Sequence, residues 1–246
     1  MARFPFVVAV SGLALGIVSW APRARAEAPP LSVWVVGDST AQPLEQGFAA
    51  IGKETPHVKV RTFFKNSSGL IRTDVIDWTK TMRGLLEHGA PKVAIITFGP
   101  NDAQGLVPAG KRVPVNMGTE EWREEYGKRV RAFVDLFRTR GTKVYLLLQP
   151  FDETKKHAPL MRDVNAGLGQ AASRPDAEPV VAPAIELVDV PGLIEAEHPD
   201  RPTARLKNVD GIHLTFAGGK YLSRRLYEKL DADWAATPEE STSAPR

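Results

Sequence analysis

Five short runs of apolar, largely β-branched residues recur along this chain, and most are separated by enough residues for a helix. They occupy 31–36, 58–64, 93–98, 144–148 and, less sharply, 180–182. A run that is apolar on successive residues has no solvent face, so it suits a strand covered by helices on both sides. Parallel strands need crossovers of a dozen or more residues, and those crossovers are right-handed. The pattern predicts an α/β protein: a three-layer, flavodoxin-like sandwich with a mostly parallel central sheet of about five strands. A chain of 246 residues, 43% of them apolar, is long enough to bury one full core.

Helical periodicity fills the intervals. Leu44, Phe48 and Ile51 fall at i, i+4 and i+7, and Pro43 is tolerated in a first turn. The clearest helix is expected over 120–140. Thr119 is its N-cap, Glu120 and Glu121 suit its positive end, and Gly141 is the stop. Trp122, Tyr126, Val130, Phe133, Val134 and Phe137 make its buried stripe. A last helix begins after Thr215 and passes through Tyr221, Leu222, Leu226 and Leu230, with two early glycines expected to weaken it. Residues 99–118 and the proline-rich 175–202 read as long loops, which places both at the rim of a site.

The N-terminus reads as an address. Arg3 precedes an apolar stretch over 4–20, and Ala24-Arg25-Ala26 has the small-x-small form of a cleavage site. Residues 1–26 are expected to be a signal peptide, with an uncleaved anchor as the alternative. That leaves 27–235 as one domain, 236–246 as a polar, disordered tail, and an exported protein, periplasmic or secreted. Arg3, Arg23 and Arg25 leave with the signal, so basic and acidic residues balance in the remainder. Such a chain gives no reason to expect nucleic acid as a partner, and no later segment is apolar enough for stable membrane insertion. It has no cysteine, which excludes disulfides and thiol nucleophiles, and its five histidines show no metal-ligand spacing. No cofactor or metal is expected.

The chemistry gathers at strand ends. Gly37-Asp38-Ser39 directly follows the first run, and Gly99-Pro100-Asn101-Asp102 follows the third. Open α/β sheets put their reactive groups at the carboxyl ends of strands. A hydroxyl nucleophile needs a base within reach, and Asp210-Gly211-Ile212-His213 offers one: the carboxylate orients one ring nitrogen while the other faces Ser39. The Ser39 backbone N–H, a backbone N–H at Gly69 and the Asn101 side-chain amide are the oxyanion donors on this reading. Each residue also has a plain structural reading: Ser39 as a helix cap, Gly69 as a turn glycine, Asn101 as a turn cap, His213 as an exposed loop residue. The combination favours the active site. His57, His88, His157 and His198 have no comparable carboxylate and read as surface residues.

These blocks resemble the SGNH (GDSL-type) hydrolase superfamily, whose signature serine, glycine, asparagine and histidine fall on Ser39, Gly69, Asn101 and His213, with Asp210 as the aspartate of its D-x-x-H block. The similarity spans about residues 31–230. Ser67-Ser68-Gly69-Leu70, Trp78, the helix from Trp122 to Arg129 and the stretch 210–218 further resemble the DUF459 group of exported bacterial proteins. Thr40 departs from the leucine common in the first block and is expected to affect packing more than chemistry.

The resemblance implies a flavodoxin-like fold and metal-free ester hydrolysis through an acyl-enzyme. The expected substrate is an ester-bearing small molecule or polysaccharide, deacylated at small groups such as O-acetyl. Acyl transfer by the same residues and a non-catalytic carbohydrate-binding role remain alternatives. A phosphatase lacks a ligand cluster, and a flavin binder lacks a phosphate loop after the first strand. A histidine base must be neutral, so the esterase rate should fall on the acid side; a flat rate there would remove His213 from that role.

Overall fold

The computed structural model describes residues 30–55, 57–175, 182–197 and 206–236. Its centre is one sheet of β1 (Leu31–Gly37), β2 (Val58–Phe64), β3 (Val93–Thr97), β4 (Lys143–Leu147) and β5 (Ile185–Val188). All pairings are parallel and the strand order is β2-β1-β3-β4-β5. Between them and after them come α1 (Gln42–Glu54), α2 (Trp78–Leu86), α3 (Glu120–Arg138), α4 (Ala158–Ser173), α5 (Val190–Glu197) and α6 (Phe216–Ala236).

The strand period of two divides the core. Val33 and Val35 of β1 pack under α1, α5 and α6, whereas Trp34 and Val36 pack under α2, α3 and α4. The aromatic stripe of α3 lies in this second layer, where Phe98, Phe133 and Phe137 meet edge to face. Order reverses between β1 and β3: β2 lies to one side of β1, while β3, β4 and β5 follow on the other. This is the switch point at which flavodoxin-like sheets open a crevice beyond their strand ends. The expected three-layer sandwich is therefore the fold, and 39 and 101 lie just past the two strands that flank the reversal.

Several expectations change in detail. The fifth strand is Ile185–Val188, not 180–182; Val180 and Val181 lie outside the described residues and Ala182 precedes the strand. As an edge strand, β5 has one exposed side, so Glu186 interrupts its apolar run. The stretch 175–202 holds this strand and α5 rather than loop alone, because Pro191 sits in a first helical turn, where its missing N–H costs nothing. Asp189 starts that turn by accepting from Gly192 N at 3.1 Å. In contrast, 99–118 is largely irregular, closed by a bridge between Leu106 and Val115 and pinned by Trp122 Nε1 donating to Gln104 O. Helix α3 ends at Arg138, two residues short, with Gly141 left-handed at φ 76° just beyond it.

The early glycines of α6 do not break it. They let its first turn approach the chain before it: a Cβ on Gly218 would lie 2.0 Å from Leu206 O, and one on Gly219 would lie 2.4 Å from Pro43 O. Thr215 caps the helix through Gly218 N at 3.1 Å. No helix among the described residues is long and apolar enough to cross a membrane. The signal and tail expected over 1–26 and 236–246 fall outside the described residues apart from Ala236. Because Gly219 meets backbone that cannot rotate away, Gly219→Ala should cost about 1–3 kcal/mol, read as a lower urea midpoint with unchanged slope.

Candidate active site

Glycine is required where β1 ends. A Cβ on Gly37 would lie 2.1 Å from Thr97 O on β3, so the strands come this close only without a side chain there. The next residue, Asp38, is fully buried and caps the short turn Ser39–Ala41 by accepting from Thr40 N at 2.8 Å. The capping role open to Ser39 is thus taken by Asp38. The Ser39 hydroxyl points instead at His213, with Oγ 2.8 Å from Nε2.

His213 arrives on a tightly bonded loop. Lys207 and Leu214 form a bridge, Asn208 N donates to His213 O at 2.7 Å, and Gly211 N donates to Asn208 O at 2.9 Å with Gly211 left-handed at φ 76°. Asp210 turns back inside this loop: Oδ1 accepts from Ile212 N at 2.9 Å and His213 N at 3.0 Å, and Oδ2 lies 2.7 Å from His213 Nδ1. Partial burial works against the Asp210 charge. The N–H donors of Ile212 and His213 and the imidazole outweigh it and hold the carboxyl below its ordinary range. An ionised carboxylate only accepts, so Nδ1 carries the proton and Nε2 is left to accept from Ser39. Buried Lys207 ties the loop down by donating to Phe151 O, and Gly211 leaves no room for a Cβ beside Asp152.

Gly69 and Asn101 are held by two buried carboxylates. Gly69 does not have a positive φ; it is glycine because a Cβ would lie 2.1 Å from Asp102 Oδ1. Asp102 accepts from Leu70 N at 3.1 Å, Ile71 N at 3.0 Å and Tyr126 OH at 3.0 Å. On the other side of Gly69, Trp78 Nε1 donates to Ser68 Oγ at 3.0 Å, which donates in turn to Lys65 O. Asn101 lies in the turn Pro100–Asp102, with Nδ2 3.5 Å from Asp38 Oδ2, and the same oxygen accepts from Gly99 N at 3.3 Å. A carboxylate faces the NH2 end of an amide, so Asp38 orients Asn101. The Ser39 and Gly69 N–H groups find no acceptor among the described residues.

Burial raises the Asp38 carboxyl against the N–H and hydroxyl of Thr40, the N–H of Gly99 and the attraction of His213. It raises Asp102 to about 7, with the Asp38 charge adding to burial and the Ile71, Leu70 and Tyr126 donors opposing it. Thr40 acts here by hydrogen bonding rather than by packing. Gln149 Nε2 donates to Thr97 Oγ1, which donates to Thr40 Oγ1, which donates to Asp38 Oδ1 at 2.7 Å. This direction follows because the amide NH2 at one end donates and the carboxylate at the other accepts. In the sequence Tyr126 stands out as part of a buried stripe and Trp78 as part of the family resemblance; the polar end of each takes a role at the site that neither pattern shows. The available signal was a hydroxyl or an indole N–H at a buried position, which needs a partner.

The family model described as "Protein of unknown function (DUF459)" matches residues 32–229, and the chain belongs to this family. Its fold is shared with LAE5, described as an alpha/beta hydrolase enzyme from the metagenome of Lake Arreo, Spain. That match has a TM-score of 0.57 and 16% identity over 82% of this chain and 95% of that one. It is shared with Axe2, an acetylxylan esterase from Geobacillus stearothermophilus (TM-score 0.56, 14% identity, 82% and 94% covered), and with TesA (TM-score 0.52, 19% identity, 82% and 98% covered). At these identities the likeness is one of fold. No curated protein matches the chain.

A raised carboxyl pKa means that the folded state holds its proton more tightly than the unfolded chain does, so stability falls as pH rises from about 4 towards 7. Asp102→Asn removes that term. The stability of the wild type relative to the variant should decline across this window in urea titrations; a difference independent of pH would show Asp102 to be already ionised.

Proposed function

We propose that the protein is an exported, metal-independent serine esterase that removes small acyl groups, O-acetyl foremost, from carbohydrate or related esters. The observation that carries this reading is the continuous line from Ser39 Oγ through both nitrogens of His213 to Asp210 Oδ2, with steps of 2.8 and 2.7 Å. Such a line exists to take a proton from a hydroxyl as it attacks.

The geometry supports the following sequence. His213 Nε2 takes the Ser39 proton as Oγ bonds to the ester carbonyl carbon. Asp210 keeps the ring oriented and stabilises the imidazolium. The Ser39 and Gly69 N–H groups, together with the Asn101 amide, meet the oxyanion. His213 then gives its proton to the departing alkoxide as the carbon–oxygen bond breaks, leaving an acyl-Ser39. A water molecule then gives its proton to His213 Nε2 as its oxygen bonds to the acyl carbon; the carbon–Oγ bond breaks, Ser39 Oγ regains the proton from His213, and the carboxylic acid is released. The acetylxylan esterases among the fold relatives support a carbohydrate ester as substrate. The apolar stretch ahead of Ala24-Arg25-Ala26 supports export.

A fluorophosphonate tests the nucleophile. Intact mass should show one adduct on the wild type and none on Ser39→Ala; no adduct on either would favour a binding protein over an enzyme. Asn101→Ala should lower kcat on an acetyl ester by about 10²–10³-fold, with KM little changed, if its amide serves the transition state. Measuring free acetate against acetylated sugar from one donor separates hydrolysis from acyl transfer.

A further inference from the structure

The two sides of Ser39 are built differently. Gly69, Asp102 and Tyr126 lie on the side of the sheet covered by α2, α3 and α4. On the opposite side, between the first turns of α1 and the start of α6, a cleft of ≈ 250 Å³ opens against Ser39 and His213. We propose that this cleft is the subsite for the alcohol part of the ester, and that it takes an uncharged, polyhydroxylated leaving group the size of one sugar ring. The inference rests on the esterase reading and deepens it.

The assignment of sides follows from the path of the proton. The alkoxide that departs must accept its proton from Nε2 of His213, so its oxygen lies beside that nitrogen. The carbonyl oxygen turns the other way, towards Gly69 and Asn101. Whatever is attached to the alkoxide oxygen therefore extends into the space that His213 borders, and that space is the cleft. An acyl chain would leave the carbonyl carbon along a different bond.

The lining specifies the chemistry. Gln42 and Gln46 stand one turn apart on α1, and Asn208 faces them from the His213 loop. All three are exposed and carry neutral amides able to donate and accept. Phe216, the first residue of α6, is 64% exposed and offers an aromatic face. Sugars present both features in complement: hydroxyls for amides and a C–H face for a ring. Of the eight lining residues His213 alone is a titratable base or acid of the neutral range, so nothing in the wall pairs with a phosphate or an ammonium group. The volume is below that of pockets for drug-sized ligands, about 300–1,000 Å³, and is fitted to one ring rather than to a long chain.

Two substrate series distinguish the alcohol from the acyl side. The first holds acetate constant and varies the alcohol: methyl acetate, cyclohexyl acetate and a mono-acetylated methyl glycoside. The second holds methanol constant and varies the acyl group from acetate to octanoate. The expected result is that kcat/KM for the glycoside acetate exceeds that for cyclohexyl acetate tenfold or more. Phe216→Ala and Gln46→Ala should each erase at least fivefold of that preference, mainly through KM. Both positions are exposed, and circular dichroism checks that each variant is folded. Turnover in which cyclohexyl acetate matches the glycoside overturns the sugar assignment. If both substitutions instead alter the acyl-length series, the cleft holds the acyl chain and the assignment of sides is overturned. Absence of turnover together with absence of phosphonylation at Ser39 overturns the esterase reading, and the subsite with it.

Discussion

Two carboxylates, Asp38 and Asp102, are taken out of water at the carboxyl ends of β1 and β3, and the arrangement of the site depends on how they are satisfied. A buried carboxylate without donors is costly, so each gathers them from neighbouring loops. Asp38 draws in the Thr40 and Gly99 N–H groups and the Asn101 amide. Asp102 draws in the N–H groups of Leu70 and Ile71 and the hydroxyl of Tyr126. Three segments distant in sequence are thereby held together at the switch point of the sheet. The proposed oxyanion donors are by-products of that requirement: Gly69 packs against Asp102, and Asn101 presents its NH2 end to Asp38.

The candidate base is supplied in a contrasting way. Asp210 and His213 sit on a partly exposed loop whose own backbone hydrogen bonds preshape it, and the loop is anchored from below by Lys207. Two buried carboxylates thus position the groups that would meet negative charge, and one solvated carboxylate orients the histidine. On the proposed mechanism this division has a physical basis. Asp210 must stay charged throughout, and solvent together with three donors keeps it so. Asp38 and Asp102 need only hold geometry.

Much of this was legible in the chain. Four of the five strands lie within a residue or so of their expected runs: β1, β3 and β4 are interior and buried on both faces, which leaves a nearly unbroken apolar signature, and β2, though at the other edge, keeps enough valine and phenylalanine to be read. The edge strand β5 does not, since one side faces solvent and Glu186 breaks the run. In the site, the Asp210-to-His213 spacing is local and could be read directly: both carboxylate oxygens act within four residues. The reason for Gly69 was not legible. From sequence it reads as a turn glycine or a backbone donor, whereas its space is claimed by a side chain 33 residues away. Thr40 looked like a packing substitution, yet it is a link in the chain of hydroxyls ending on Asp38.

By itself, the sequence determined the layered α/β class, the strand ends at which reactive groups would gather, and the local pairing of His213 with Asp210. Each of these depends on periodicity or on contacts a few residues apart, which composition and spacing encode. Only the tertiary structure decided that Ser39 meets His213 across 174 residues, that Asp38 takes the capping role and frees the serine hydroxyl, and that the cleft opens towards α1 and α6. Those outcomes depend on which segments the sheet order brings side by side and on how tightly glycines let them approach. Both are set by packing between distant parts of the chain, which no local pattern records.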